Sequence, residues 1–545
     1  MPRKNRLIEF RIERLEFPNK GIGEFEGKSI RIKGGLPGQK ITARVSRRRK
    51  DYWEAKPVEV IERSPLETQK GCAHIGICGG CSYQALSYED ELKLKHSQVQ
   101  DLFDKEGLGI KLEEIEPSPI VSGYRNKMEY TFGDEIKDGP LALGLHMKNR
   151  FYEVVNTYDC NIVHKDFTII REAVRNHFDN LGVSFYNKRN HEGVLRHLVI
   201  RRAHSTGEIL VNLVTSSQEF IDREAFKNIL LELRGNINGS ITGILHTIND
   251  GLGDTVTADS MELLYGKDNI REEILGLRFD ISPFSFFQTN TSSAERLYSM
   301  AREFAGDKRD RIIFDLYSGT GTIAQMMAAV AKKVIGIEIV EEAVEKARDN
   351  AKINGLNNVE FIADDVFHGV EKLEYRPDLI ILDPPRDGIH PKSIEKIIDF
   401  RPETFVYVSC NPVTLVRDLK IFVEKGYKIK RAKCVDQFPK TPHVETVVLL
   451  SHKKPDDFIS IKMDYSEDRE TQPDRVTYKL IQDYIMKKYG FKVHSAYIAE
   501  VKRSLGLPMY DAPNAVEELK HPYKPAPQHK VEAIKDALRH FKVID

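Results

Sequence analysis

From about residue 290 the chain settles into a rhythm that few folds allow. IIFDLYSGTGTIAQMMAAVA, KKVIGIEIVEEAVEKARDNAKING, VEFIADDV, PDLIILDPPRDG and TFVYVSCNPVTLVRDL follow one another as apolar runs joined to amphipathic stretches. Successive βα units of this kind require a parallel sheet with helices on its faces. Ligands of open α/β sheets bind beyond the carboxyl ends of the strands. The residues just after each run are therefore the ones to read for chemistry.

The remainder divides into three further segments. At 545 residues the chain is too long for one core. Residues 1–63 alternate short apolar-polar runs with glycine turns, as a small β-barrel would. They carry 17 Lys and Arg against 9 Asp and Glu, including RRRK at 47–50. That excess suits phosphate contact or a plainly solvated basic face. Residues 64–285 read as a central, mainly β domain with helices, among them YEDELKLKHSQVQDLFDKEG, stopped by Gly107. Residues 286–453 hold the βα units, and 454–545 a polar linker and a small helical domain, with helices expected near 474–489, 495–505 and 527–541. Lys plus Arg and Asp plus Glu both number 82, so net charge names no partner. The start lacks a signal-like apolar region and no run is long enough to span a membrane, so a cytoplasmic protein is expected.

FDLYSGTGTIA places small residues between a buried strand and a helix, where a backbone can approach a ligand. One such loop also fits an ordinary turn. Glu338 lies 19 residues after Gly319, at the end of the next strand, where a carboxylate can accept ribose hydroxyls. Asp365 ends the third strand and is offered to an adenine amino group. The loop has neither the longer dinucleotide fingerprint nor a GK[ST] phosphate cradle. It resembles class I S-adenosylmethionine-dependent methyltransferases, and that resemblance implies S-adenosyl-L-methionine as cofactor.

The fourth strand ends in DPPR, with Arg386 where amino-group methyltransferases place a stacking aromatic residue. The fifth ends in SCNP and sets Cys410 on the same edge. By type alone a free cysteine is a small buried hydrophobe. Carbon 5 of uracil supplies another reading. It is a poor nucleophile until a thiolate adds to carbon 6, and that addition splits one hard step into two. The adduct then needs a base to remove the carbon-5 proton. Glu445, in TPHVETVVLL, stands at the start of the final strand, as a base or as a solvated charge.

DLYSGTG, DPPR, SCNP and HVETV, in this order, with SPFSFFQTN at 282–290 ahead of them, resemble the RNA 5-methyluridine methyltransferases acting on ribosomal and transfer RNA. The resemblance implies Cys410 as nucleophile, Glu445 as base, and Gln288, Tyr317, Gly319, Glu338, Asp365 and Asp383 around S-adenosylmethionine. It leaves Arg386 structural or facing RNA. Phe286 and Phe287 are either stacking residues for an extruded base or core residues.

Cys72, Cys78 and Cys81, with Cys160 further on, suit sulfur ligation of zinc or an iron–sulfur cluster. The resemblance implies a [4Fe-4S] cluster, with zinc as the other occupant. The first 63 residues resemble a TRAM barrel, through GIGEFEGKSIRIKGGLPGQ, which implies an RNA partner. The basic, aromatic tail is either an accessory winged-helix-like RNA contact or a packing element. The expectation is thus a multidomain α/β enzyme that makes 5-methyluridine in RNA. 23S ribosomal RNA is the first substrate, and the transfer-RNA T loop the alternative. The reading from another class is a non-catalytic RNA-binding assembly factor. No obligate protein partner is inferred.

Overall fold

A computed structural model describes residues 6–68, 71–253, 258–369, 375–452, 477–507, 526–541 and 543–544. The chain separates into two compact units, 1–457 and 458–545.

The first strands close into a five-stranded barrel: β1 (Leu7–Glu16), β2 (Lys20–Phe25), β3 (Lys28–Lys33), β4 (Lys40–Arg48) and β5 (Tyr52–Glu62), in the order β1-β2-β3-β5-β4. Ile8, Phe10 and Ile12 of β1 point inward with Ile30, Ile32, Ile41 and Ala43, the two-residue alternation that a small barrel requires.

After α1 (Tyr88–Lys105) comes a seven-stranded sheet. It holds β6 (Lys127–Gly133), β7 (Ala142–His146), β8 (Val154–Asn156), β9 (Leu195–Arg202), β10 (Glu208–Thr215), β11 (Ser240–Ile248) and β12 (Ser260–Gly266), ordered β12-β11-β10-β9-β6-β7-β8. Two helices, α2 (Lys165–Leu181) and α3 (Arg223–Leu231), pack Phe167, Ile170, Phe178 and Phe226 against Leu198, Ile200 and Val211. α2 ends at Gly182 in the left-handed conformation, the usual glycine stop.

α1 does not stay with this sheet. Val99 and Phe103, four residues apart on one stripe, share a core with Leu415 and Leu419 of a helix more than 300 residues away. The hairpin of β13 (Ile270–Ile274) and β14 (Leu277–Ile281) likewise buries Ile270 and Phe279 in the core of the last sheet.

That sheet contains the expected βα units. Its strands are β15 (Lys308–Leu316), β16 (Ala331–Glu338), β17 (Val359–Ala363), β18 (Leu379–Leu382), β19 (Thr404–Ser409), β20 (Lys428–Val435) and β21 (Glu445–Ser451). Its helices are α4 (Thr291–Ala305), α5 (Thr322–Met327), α6 (Glu341–Ile353), α7 (Val366–Gly369), α8 (Pro391–Asp399) and α9 (Pro412–Glu424). The order is β17-β16-β15-β18-β19-β21-β20, so the winding reverses between β15 and β18. The first five strands in this order are parallel; β21 runs antiparallel to both neighbours.

The second unit contains α10 (Tyr478–Tyr489), α11 (Ser495–Ser504) and α12 (Gln528–His540), close to the three helices expected there. The polar linker expected after Lys454 lies outside the described residues.

Candidate active site

The loop after β15 is wound tightly. Tyr317, Gly319 and Gly321 have φ of +66°, +53° and +75°. A side chain in that region costs about 1–3 kcal/mol, so Tyr317 marks a place where the fold holds strain. At Gly321 a Cβ would lie 2.5 Å from the Phe361 ring, whereas at Gly319 it would face open space. Glu338 fixes this loop: its carboxylate accepts from the Gly319 and Val340 amides, both at 3.0 Å. Each oxygen retains a second acceptor position.

β18 pairs with β15, Leu382 opposite Leu316, and this sets Asp383 beside the loop. Burial pushes the Asp383 carboxyl up to about 7. Asp315, which sequence reasoning did not single out, is fully buried, and neither carboxylate oxygen accepts a well-formed hydrogen bond among the described residues, the Ala324 backbone amide being the donor turned towards it. Burial first, then Asp383, raises it well above the usual carboxylate range. An Asp inside the apolar run IIFDL was the available signal. Buried carboxylates this poorly satisfied favour a cationic neighbour, and a sulfonium is one. The open face at Gly319 and the poorly satisfied Asp315 fit S-adenosylmethionine.

SPFSFFQTN is irregular and fastened from below. Arg201, fully buried, donates to the Pro283 carbonyl at 3.0 Å and also to that of Ser285. Gln288 is buried; its backbone carbonyl accepts from Asn126 at 2.9 Å, and its side chain meets Tyr298 and Gln437. The two phenylalanines part company. Phe287 packs on Phe279 in the core, and Phe286 is 72 % exposed. Asp365 lies at the end of β17, where its carbonyl accepts from the His368 amide at 3.0 Å in the first turn of α7.

Cys410 and Glu445 are brought together by the antiparallel strand. Ser409 pairs with Thr446, so the next residues outward, Cys410 after β19 and Glu445 at the start of β21, share the carboxyl edge. Glu445 is 3 % exposed; burial, then the Asp383 charge, pushes it up to about 8, against a lowering by Arg386. Cys410 is pushed up to about 12, first by burial and then by Glu445 and Asp383. Arg386 hydrogen-bonds the thiol and opposes that rise. Its backbone carbonyl accepts from Asn411 Nδ2 at 2.8 Å, and Asn411 also caps α9 through the Val413 amide at 3.2 Å. The thiol therefore stands at the positive end of a 13-residue helix, beside a guanidinium.

Residues 436–444, which lead into Glu445, are held by a buried ion cluster. Lys95 of α1 reaches Asp436 at 2.7 Å, Glu91 at 2.8 Å and the Phe438 carbonyl at 3.1 Å, with both Lys95 and Glu91 fully buried. Tyr124 donates to the Pro439 carbonyl at 2.9 Å, and the Ser82 and Tyr83 amides donate to that of Lys440 at 3.1 and 3.0 Å.

Those two amides follow Cys81 directly. Cys72, Cys78, Cys81 and Cys160 line one cavity with His74 and Gln84. Amides of His74 and Gly80 point at the Cys72 and Cys78 sulfurs, at 3.4 and 3.3 Å. Burial pushes Cys81 up to about 12, with a further rise from Cys160, Cys78 and Cys72, and Cys160 up to about 11, with a further rise from Cys72 and Cys78. Among the described residues no three His, Cys, Asp or Glu side chains are grouped so as to hold one metal ion. No helix among them is long and apolar enough to cross a membrane.

Comparison with known proteins shows what the chain is similar to. Residues 257–453 match the tRNA (uracil-5-)-methyltransferase family. An uncharacterised RNA methyltransferase of Caldanaerobacter subterraneus subsp. tengcongensis is 49 % identical over 449 residues, covering 82 % of this chain and 99 % of that protein. One from Bacteroides thetaiotaomicron is 39 % identical over 453 residues, 79 % of this chain and 98 % of that protein. Among solved structures, the tRNA (uracil-54, C5)-methyltransferase of Pyrococcus abyssi, in complex with S-adenosyl-L-homocysteine, is similar. It has a TM-score of 0.64 and 29 % identity, covering 81 % of this chain and all of that one.

Proposed function

The chain belongs to the RNA 5-methyluridine methyltransferase family, and on that premise we propose that it methylates carbon 5 of a uridine through a covalent bond to Cys410. It is an S-adenosylmethionine-dependent RNA methyltransferase. The observation that carries the proposal is the adjacency of Cys410 and Glu445 at the sheet edge that also holds Asp315, Asp383 and Glu338.

Gln288, Tyr317, Gly319, Glu338, Asp365 and Asp383 would hold S-adenosylmethionine, which supplies an electrophilic methyl group. Arg386 and the α9 N-terminus stabilise the Cys410 thiolate as its proton leaves to solvent. The thiolate adds to carbon 6 of the uracil, and the ring's electron pair becomes available at carbon 5. Once carbon 5 carries the methyl group, Glu445 takes its remaining proton. The electrons of that C–H bond restore the ring double bond, and the S–C6 bond breaks to return the thiolate. Exposed Phe286 is suited to stack against a base drawn out of its helix.

The cavity of four cysteines is read as the seat of a [4Fe-4S] cluster. The amides on Cys72 and Cys78 are the hydrogen bonds such sulfurs accept. Iron and sulfide of about four each per chain, after anaerobic purification, would support this reading; stoichiometric zinc would replace it.

23S ribosomal RNA is the proposed substrate, supported by the four-cysteine module. The similarity to the Pyrococcus tRNA enzyme favours a second reading, the transfer-RNA T loop. Mapping 5-methyluridine in both RNAs from a deletion strain decides between them. Loss from neither would defeat both.

A further inference from the structure

The helices α10, α11 and α12 take no part in the chemistry above, and the family match ends at residue 453. These helices and the turn after α10 carry nine Lys and Arg against four Asp and Glu. Three of the acids are already engaged: Asp536 pairs with Lys488 at 2.8 Å, Glu532 pairs with Lys535 at 3.7 Å, and Glu500 accepts from the Ala526 amide at 3.1 Å. Among the described residues, Lys492, Lys502 and Arg503 face no carboxylate within ion-pair distance.

The arrangement is specific. α10 ends at Gly490, with φ +74°, and α11 restarts at the His494 cap. Gln482 Nε2 donates to the Val493 carbonyl at 2.8 Å and pins the turn between them. Helix, short glycine turn and helix against a third helix is the geometry that presents the second helix to nucleic acid. α11 buries Ile498 and Val501, so the spacing of 100° per residue puts Ala496, Ala499 and Arg503 on the far side. Small side chains there allow close approach. Cations flank both edges: Lys530 lies 5.6 Å from the Tyr497 ring, Lys502 lies 5.6 Å from that of Tyr478, and Lys530 also donates to the Lys492 carbonyl at 3.3 Å.

We propose that this unit is a second RNA-binding site, which grips the phosphate backbone of a double-stranded stem through α11. A-form RNA offers a wide, shallow minor groove, and contact there reads shape and phosphates. RNA as the partner, over other polyanions, rests on the proposed function.

The probe is a synthetic RNA hairpin with a paired stem and no uridine in its loop, bound to the full-length protein across a salt series. Lys492→Glu with Arg503→Glu should weaken binding at least about tenfold at low salt. It should also flatten the slope of log affinity against log salt by roughly 1.5 to 2, for two lost phosphate contacts. Lys492→Arg with Arg503→Lys should bind as the unaltered protein does. Helical content by circular dichroism together with affinity for S-adenosylhomocysteine, read on the same samples, certifies that both units are folded. Equal hairpin affinity in the charge-reversed protein would overturn the proposal, as would stronger binding of a DNA hairpin of the same sequence. Failure to trap RNA at Cys410 while hairpin binding persists would defeat the catalytic reading and leave this one standing.

Discussion

Ser409 and Thr446 face each other across the antiparallel pair β19–β21, and this register sets Cys410 beside Glu445. In an all-parallel sheet the start of a strand lies at the opposite edge from the site. Only the reversed direction of β21 lets a residue that begins a strand serve a thiol that ends one.

Glu445→Gln keeps the shape of the site and removes its base. Adduct formation at Cys410 should survive while release fails, so a covalent protein–RNA complex should accumulate with ordinary uridine RNA. Turnover should fall about 10²–10⁴-fold. Gel mobility under denaturing conditions reads this, and free methylated product at the normal rate would contradict it.

Glu445 is held up to about 8 from an ordinary 4.5. Between those values the folded state binds more protons than the unfolded one, so stability declines as pH rises through the window. Glu445→Gln removes that dependence. Its Tm should therefore gain a few degrees on the unaltered protein between pH 5 and pH 8.5, as two melting series would show.

Lys95→Met leaves the fully buried Asp436 without its cation and Glu91 with Lys440 alone, at 3.4 Å. Removing one partner of a buried ion cluster costs about 3–5 kcal/mol. Because Lys95 also binds the Phe438 carbonyl, the loop into Glu445 should loosen too. Chemical denaturation should show the stability loss, and single-turnover kinetics a slower proton-removal step.

Gly319 and Gly321 should respond differently to alanine. At Gly321 the new Cβ meets Phe361 and Ala347, at 2.5 and 2.9 Å, so Gly321→Ala should lower Tm. At Gly319 it meets only open space in the proposed cofactor groove. Gly319→Ala should melt within a few degrees of the unaltered protein and lose at least about tenfold in S-adenosylhomocysteine affinity by calorimetry.

The βα rhythm was legible because each strand is a continuous apolar run, and DLYSGTG, DPPR and SCNP punctuate the ends where ligands bind. The three tail helices were legible for a similar reason: Gly490 and Gly506 follow the first two, and all three carry regular apolar stripes. The adjacency of Cys410 and Glu445 was not readable from spacing, because it depends on β21 inserting between β19 and β20. Neither were the opposite fates of Phe286 and Phe287, which packing against Phe279 decides. The amphipathic pattern of α1 does not set Lys95 apart from its other charges. Its role requires α1 to leave the central sheet for the loop at 436–444, a long-range contact no local pattern announces.

The central claim is the bond between Cys410 and a uracil. Incubating the protein with 5-fluorouridine RNA and S-adenosylmethionine should yield a complex that survives denaturation. The fluorine on carbon 5 cannot be removed as a proton, so Glu445 has nothing to take and the adduct persists. Mass spectrometry should place the nucleotide on Cys410, and Cys410→Ala should form no complex. A Cys410→Ala protein that still traps this RNA, or an unaltered protein that methylates RNA without ever trapping it, would contradict the mechanism.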